Sequence, residues 1–278
     1  MQNIRNREKT MKVGIAGFGT AGRQVAQALL DGRIAGAELV AVAGRDLEKA
    51  ARLAAEAAPG LRAVPLAGLP ALCDVVVETA TGSAFPEIAR TVLEAGKDLI
   101  CVSAGGFLAV PDIEDIARRH GARIRIATGA MPGLDMLRCA AEGTLRKVAL
   151  KTSIKPESLA NEPYVLAQGL DFRHAPPPEP VRVFSGTARE AARHFPRHMN
   201  VAVAISLAGI GFDRTTIDMW MDPTIPGAIH ELAIDADEVC VTFVSRNFPS
   251  SNPKTSRIVA PSILAALRAR QAAVLIGS

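Results

Sequence analysis

The chain has 278 residues, of which 49% are hydrophobic, 22% charged and only 4% aromatic. This length suits two domains better than one small domain, and the composition is that of a globular protein with an aliphatic core. The net charge is +4, and the basic residues of the chain are scattered singly without neighbouring aromatic residues. That pattern argues against nucleic-acid binding. No apolar stretch is long enough to span a bilayer, so we expect no membrane partner.

The cysteines and the first residues of the chain indicate its compartment. Residues 1–10 are polar with mixed charge and lack an apolar core, so we expect a flexible extension instead of a signal peptide. The four cysteines lie far apart in apolar runs, which predicts reduced core thiols and a cytoplasmic location. They are Cys73, Cys101, Cys139 and Cys240. No group of potential ligands has metal-site spacing, and we expect no metal.

From Met11 onward, short apolar runs alternate with Ala- and Leu-rich helical segments. The predicted strands are 12–16, 38–43, 74–78, 98–102 and 123–127, and the predicted helices are 21–31, 47–58, 84–95 and 112–120. Asp46 is the predicted N-cap of the second helix. Strands that alternate with helices are typical of a parallel, doubly wound α/β sheet of the Rossmann type. We therefore predict a dinucleotide-binding domain at 11–127.

After Gly129 the pattern changes to that of an α+β domain with a mainly antiparallel sheet, predicted at 128–255. Helices are expected at 134–142, 188–195 and 201–210, and strands at 148–154, 181–185, 215–221, 228–235 and 238–245. The last three are predicted to be antiparallel strands. A long irregular stretch around Pro176 precedes the strand at 181. A final helix, from about Ser256 to Arg270, is expected to pack with the rest of 256–278 on the first domain.

The main functional motif is the G-x-G-x-x-G sequence from Gly17 to Gly22, with Gly19 between them. It follows a short apolar strand and begins a helix, which is the context that this motif requires. Glycines permit a tight turn and a close approach to a pyrophosphate, and the helix N-terminus supplies free N–H groups. Gly17, Gly19, Gly22 and the intervening Thr20 and Ala21 are therefore predicted to bind NAD or NADP.

The residues after the second strand bear on the choice of cofactor. NAD-specific sites usually place an acidic residue there, whereas this chain has Gly44 followed by Arg45. Arg45 could cover the 2′-phosphate of NADP, and Asp46 is better explained as the helix cap. We therefore predict that the chain is not restricted to NAD.

The sequence matches two classes of two-domain dehydrogenase poorly, the aldehyde-type enzymes and the sugar dehydrogenases. Aldehyde-type enzymes need a nucleophilic cysteine at the start of a helix, whereas Cys101 lies in a predicted strand and Cys139 in mid-helix. Sugar dehydrogenases carry Glu-Lys-Pro after the fifth strand, and this chain has Ser103-Ala-Gly-Gly there.

Several further motifs are distributed from Met11 nearly to the end of the chain. They include Thr128-Gly-Ala130, Lys155-Pro156, Asn200-Val-Ala-Val-Ala, Ile229-His-Glu231 and Asn252-Pro-Lys-Thr-Ser256. In these motifs the chain resembles the L-aspartate dehydrogenases. The resemblance implies oxidation of L-aspartate to iminoaspartate, which hydrolyses to oxaloacetate and ammonia or feeds NAD biosynthesis. It also implies a homodimer, cofactor contacts from Ala130 and Asn200, and a catalytic His230.

His230 has a chemical rationale of its own. Oxidation of an amino acid needs a neutral amine, and histidine can take the ammonium proton near neutral pH. His230 lies in a predicted strand beside Glu231, which strand alternation directs to the opposite face. The other four histidines lie at a helix end, in a loop and around a turn.

The two carboxylates of a dicarboxylic amino acid also need anchors. The segment that is predicted to begin the last helix offers N–H groups, hydroxyls and a cation. Its candidate residues are Asn252, Lys254, Thr255 and Ser256, and Lys155 is a further candidate. Two alternatives stay open: a dehydrogenase for another small amino or hydroxy acid, and a non-catalytic dinucleotide-binding protein.

Overall fold

A computed structural model describes residues 10–175, 177–249 and 256–277. The chain divides into two compact units. Of the described residues, unit 1 comprises 10–101, 109–127 and 263–274, and unit 2 comprises 102–108, those within 128–262, and 275–277. The predicted N-terminal extension lies outside the described residues except for Thr10. No helix among the described residues has both the length and the apolar character needed to cross a membrane.

Unit 1 is built on a parallel sheet of six strands in the order β3-β2-β1-β4-β5-β6. The strands are β1 (Met11–Ala16), β2 (Ala37–Ala43), β3 (Arg62–Ala63), β4 (Val75–Glu78), β5 (Asp98–Cys101) and β6 (Ile124–Ile126). The helices are α1 (Thr20–Leu30), α2 (Leu47–Ala57), α3 (Phe85–Glu94) and α4 (Ile113–Arg119). This is the Rossmann strand order, in which ligands bind where the order reverses between β1 and β4.

The local sequence explains why these elements form. The Val75-Val-Val run of β4 is completely buried, as expected for a parallel strand with both faces covered. The Asp46 side chain accepts a hydrogen bond from the Lys49 backbone N–H, which confirms the predicted N-cap of α2. The short edge strand β3 was not predicted, because Arg62–Ala63 is too short to show a periodic pattern.

Unit 2 contains a five-stranded sheet in the order β11-β10-β7-β9-β8. Its strands are β7 (Leu145–Ile154), β8 (Val181–Thr187), β9 (Thr215–Met221), β10 (Ile229–Ala236) and β11 (Cys240–Arg246). Its helices are α5 (Leu134–Ala141), α6 (Pro156–Leu159), α7 (Pro163–Ala167), α8 (Ala188–His194), α9 (Asn200–Ala208) and the start of α10 (Val259–Ala269). The β7–β9 pair is parallel and the other pairs are antiparallel. The predicted fold class is confirmed.

The last three strands alternate in direction, as predicted, but β9 is not the neighbour of β10 in the sheet. Strands β10 and β11 form an antiparallel hairpin, but β7 lies between β9 and β10. The connection at 222–228 is longer than a typical hairpin loop. It carries the chain past β7, so β10 pairs with the other edge of that central strand.

Three further expectations are corrected. The stretch predicted as irregular contains α6 and α7. The last helix begins at Val259, not at Ser256, because Pro261 lacks an N–H and its ring would clash with a helical carbonyl four residues earlier. Ser256 instead forms a β-bridge with Pro249. Cys73 and Cys101 are core thiols, whereas Cys139 and Cys240 are exposed.

Candidate active site

The glycine turn of unit 1 is shaped partly by the chain's own packing. Gly17 has φ +98°, and a Cβ there would lie 2.5 Å from the Ala80 backbone nitrogen. A Cβ on Gly22 would lie 2.2 Å from the Gly17 carbonyl oxygen. That oxygen already accepts a hydrogen bond of 2.6 Å from the Thr79 hydroxyl. A side chain at either glycine would therefore displace neighbouring backbone, at Ala80 after β4 for Gly17 and at Gly17 after β1 for Gly22.

Gly19 differs, because a Cβ there would meet no protein atom within 4 Å. It is the N-cap of the 11-residue helix α1, which has no side-chain cap in the described part of the chain. No acidic residue occupies the first turn, which begins at Thr20 and continues through the buried Ala21. Open space beside uncapped N–H groups fits a pyrophosphate, and these residues therefore fit the dinucleotide that the motif predicts.

Arg45 lies beside this turn in unit 1. The Gly17 N–H donates to the carbonyl of Ala43, the last residue of β2, so the ends of β1 and β2 are adjacent. Arg45 follows two residues later and is exposed. It has no hydrogen bond or ion pair to any described residue, so its guanidinium is available for a ligand such as the 2′-phosphate of NADP.

In unit 2, strand β10 presents His230 on its buried face. Alternate residues of this strand are buried, and His230 is 7% exposed. Its Nδ1 lies 2.8 Å from the Thr152 hydroxyl oxygen. Burial lowers the pKa of His230 to about 4, because a low-dielectric environment disfavours the charged imidazolium. The ring is therefore neutral at pH 7, and one of its two nitrogens carries an unprotonated lone pair.

A chain of hydrogen bonds connects Ala130 with Ser256 across unit 2. The Ser245 hydroxyl donates to the Ala130 carbonyl at 3.0 Å, and the Asn247 amide donates to the Ser245 hydroxyl at 2.9 Å. The Ser256 hydroxyl donates to the Asn247 amide oxygen at 3.3 Å. Ser245 is also the β11 partner of His230. The structure therefore brings Ala130, His230 and Ser256 into one neighbourhood.

The remaining predicted residues are placed as follows. The amide oxygen of Asn200 accepts a 2.9 Å hydrogen bond from the Gly105 N–H, so Asn200 secures a backbone turn. Lys155 is half-buried directly after β7, and its ammonium group has no hydrogen bond or ion pair to the described residues. Asn252, Lys254 and Thr255 lie outside the described residues. The part of the chain that is described contains no group of at least three His, Cys, Asp or Glu residues that could hold a metal.

Sequence reasoning missed the polar residues that surround His230. Thr152 lies far from His230 in sequence, and only the β7–β10 register reveals that the two residues pair. Ser245 and Asn247 had a weak local signal, because they alternate along β11 and its extension. Thr79 was missed for the same reason as Thr152, since its contact with Gly17 joins two separate strands.

Comparisons with known proteins agree with this arrangement. The family profile "Homoserine dehydrogenase, NAD binding domain" matches 17–127, and "Aspartate dehydrogenase, C-terminal" matches 135–270. The chain is 39% identical over 266 residues to L-aspartate dehydrogenase 3 of Bordetella bronchiseptica, covering 96% of this chain and 97% of the relative. It is 38% identical over 268 residues to L-aspartate dehydrogenase of Bradyrhizobium diazoefficiens, and this match covers 96% of the chain and 94% of the relative.

Solved structures show the same fold. Aspartate dehydrogenase from Thermotoga maritima superposes with a TM-score of 0.71 at 24% identity, covering 96% of this chain and 99% of that one. Homoserine dehydrogenase from Thiobacillus denitrificans superposes with a TM-score of 0.60 at 16% identity, and the match covers 95% of this chain and 74% of that one.

The parallel sheet, its glycine turn and the attached α+β unit define an NAD(P)-dependent dehydrogenase. Within that class, the near full-length similarity assigns a family. The chain belongs to the L-aspartate dehydrogenase family.

The contrast between Gly19 and Gly22 yields a prediction. Gly19→Ala should lower the melting temperature only slightly: alanine is a poorer N-cap than glycine, but the φ of −83° suits alanine and the site is open. It should weaken NADH and NADPH binding about tenfold, roughly 1.4 kcal/mol, by obstructing the pyrophosphate. Gly22→Ala is the matched control and should destabilise the fold by about 1–3 kcal/mol through overpacking.

Thermal melts and fluorescence titrations with NADH and NADPH measure both effects. A Gly19→Ala protein that binds both dinucleotides like the wild type would contradict the assignment of this open space to the cofactor.

Proposed function

We propose that the chain oxidises L-aspartate, with NAD or NADP as hydride acceptor, to iminoaspartate. The imine then hydrolyses to oxaloacetate and ammonia or feeds NAD biosynthesis. The single observation that carries this proposal is the buried, neutral His230 on β10, in a chain that belongs to the L-aspartate dehydrogenase family. In the proposed division of roles, unit 1 binds the cofactor and unit 2 supplies the substrate residues.

The proposed chemistry begins with the substrate's ammonium group, which must lose a proton before the Cα–H bond can be oxidised. In this proposal His230 accepts that proton, and bound NAD(P) would supply the hydride acceptor. Lys155 and Ser256 are proposed anchors for the two carboxylates, together with Asn252, Lys254 and Thr255 outside the described residues. Ala130 and Asn200 are proposed cofactor contacts of unit 2, and Asn200 would act through the backbone turn that it secures at Gly105.

The low pKa makes free His230 a weak base, so this scheme requires that the bound substrate raise that pKa. Two substrate carboxylates bring negative charge, which favours the protonated imidazolium and raises the pKa of His230. The base would therefore strengthen when the substrate binds. A cation, such as the side chain of Lys155, would at the same time balance part of the substrate's charge.

Turnover of L-aspartate tests the proposal directly. The wild type should reduce NAD or NADP when L-aspartate is supplied. In His230→Asn, kcat should fall roughly 10²- to 10⁴-fold. The affinity for the cofactor should stay the same, because the glycine turn lies in unit 1. Because the pKa of free His230 is about 4, kcat/KM should stay flat as the pH falls from 7 and decline only as it approaches that value. The pH dependence of kcat reports the enzyme–substrate complex. Its acid limb should lie at higher pH than that of kcat/KM, because the bound substrate raises the pKa of His230.

The same assay separates the alternatives. A panel of small amino and hydroxy acids with both cofactors would reveal a dehydrogenase of another substrate. Dinucleotide binding without turnover of any of them would instead support a non-catalytic binding protein. A stable His230→Asn variant with near-normal turnover would remove His230 from the chemistry.

We further propose that the enzyme accepts NADP at least as well as NAD. Arg45 supports this choice, because it is exposed beside the glycine turn without a partner among the described residues. Arg45→Ala should raise KM for NADP about tenfold or more, as expected when a charged hydrogen bond is lost, and should leave KM for NAD nearly unchanged. The conservative control Arg45→Lys should retain part of the preference. Equal losses for both cofactors would place Arg45 away from the ribose phosphate.

We also propose a cytoplasmic homodimer. The four cysteines, all among the described residues, form no disulfide, as is usual in a reducing compartment. The sheet face opposite His230 is partly exposed and carries Ala233, Trp220 and Val244, the last 48% exposed. A symmetric contact between two copies would cover such a face.

Light scattering at micromolar concentration should therefore give twice the chain mass of 29.2 kDa. Val244→Lys should shift the mass toward the monomer, because it places a charge in the proposed interface. Val274→Lys is the control, since Val274 is an exposed valine of unit 1. A monomeric wild type would contradict the proposal.

A further inference from the structure

The contact between Thr152 and His230 is a feature that the proposed function does not use. The two residues face each other across the β7–β10 pair, and the Thr152 hydroxyl oxygen lies 2.8 Å from Nδ1 of His230. Thr152 is 6% exposed and His230 is 7% exposed. Water therefore has little access to this hydrogen bond, and the hydroxyl is the group that determines the environment of Nδ1.

The direction of this hydrogen bond decides which ring nitrogen can act as a base. A neutral imidazole carries one proton, and a threonine hydroxyl can either donate or accept. If the hydroxyl donated to Nδ1, Nε2 would carry the proton and could not accept another. If Nδ1–H donates to the hydroxyl oxygen, the lone pair of Nε2 is free. Because the ring is neutral at pH 7, its reactivity depends on this choice.

We propose that Thr152 is a positioning residue that accepts a hydrogen bond from Nδ1–H of His230 and so keeps the lone pair on Nε2. The inference rests on the proposed role of His230 as the proton acceptor. In that step an N–H bond of the substrate ammonium breaks, and its electron pair stays on the amine nitrogen. The proton bonds to Nε2, and the resulting imidazolium keeps its Nδ1–H bond to Thr152.

The other neighbours of His230 in the sheet do not fill this role. Ser245, its partner on β11, directs its only hydroxyl proton to the Ala130 carbonyl and accepts a hydrogen bond from Asn247. Met219, which pairs with Thr152 from β9, has only a weakly accepting sulfur. Among the described residues, the Thr152 hydroxyl is the group that is hydrogen-bonded to the ring.

Nitrogen-15 NMR of the histidine ring nitrogens tests this inference without cofactor or substrate. The His230 signals are assigned by their absence in His230→Asn. We expect the Nδ1–H tautomer in the wild type and in Thr152→Ser, which keeps the hydroxyl. Thr152→Val, which is nearly isosteric but has no hydroxyl, should give a mixture of tautomers.

Kinetics supply the second readout. Thr152→Val should lose roughly 10- to 100-fold in kcat, as for other residues that orient a functional histidine, with little change in KM. Thr152→Ser should recover most of this loss. The matched control is Thr215→Val, which removes another buried hydroxyl, bonded to the Gly211 carbonyl at 2.8 Å. It should lower the melting temperature without changing the His230 tautomer.

The outcomes separate this inference from the proposed function. An Nε2–H tautomer in the wild type, or a Thr152→Val variant with unchanged tautomer and kcat, would overturn the positioning role. Full turnover by His230→Asn would instead overturn the role of His230, whatever the NMR result. If Thr152→Val fails to fold, the tautomer of the wild type and Thr152→Ser still decides the question.

Discussion

The register between β7 and β10 is the constraint on which the candidate active site depends. Side chains alternate along a strand, so a slip of one residue would turn His230 to the partly exposed face and separate it from Thr152. Apolar side chains on the same face, including Leu232 and Ile234, are buried and oppose such a slip. Each contributes about 1.5–3 kcal/mol when fully buried. The residues that hold the sheet together therefore also position the histidine.

In unit 1, different glycines of the G-x-G-x-x-G motif serve folding and ligand binding. Gly17 and Gly22 are required by neighbouring backbone, which leaves no space for a Cβ. Gly19 has no such neighbour, and its small size is useful only to something that approaches from outside the chain. One short motif therefore serves both packing and binding, and substitution can separate the two roles. The uncapped start of α1 beside Gly19 agrees with this interpretation.

The sequence predicted the features that depend on local patterns. The alternating elements of unit 1, the N-cap at Asp46 and the strand that carries His230 all follow from periodicity and local chemistry. The features that it could not predict depend on pairing between distant segments. Examples are the placement of β7 between β9 and β10 and the contact of Thr152 with His230. The late start of α10 was predictable, because Pro261 is visible in the sequence and limits how far a helix extends before it.

Burial gives His230 its chemical character. A neutral imidazole with one nitrogen bonded to a hydroxyl is suited to take a proton from an ammonium group, and the deprotonated amine can then be oxidised at Cα. The central claim is therefore that hydride leaves Cα of L-aspartate for the nicotinamide. Mass spectrometry of the cofactor after turnover of L-aspartate deuterated at Cα tests this claim most directly. We expect NADH or NADPH that has gained one deuterium. Reduced cofactor without deuterium, or no reduced cofactor, would contradict direct hydride transfer from Cα.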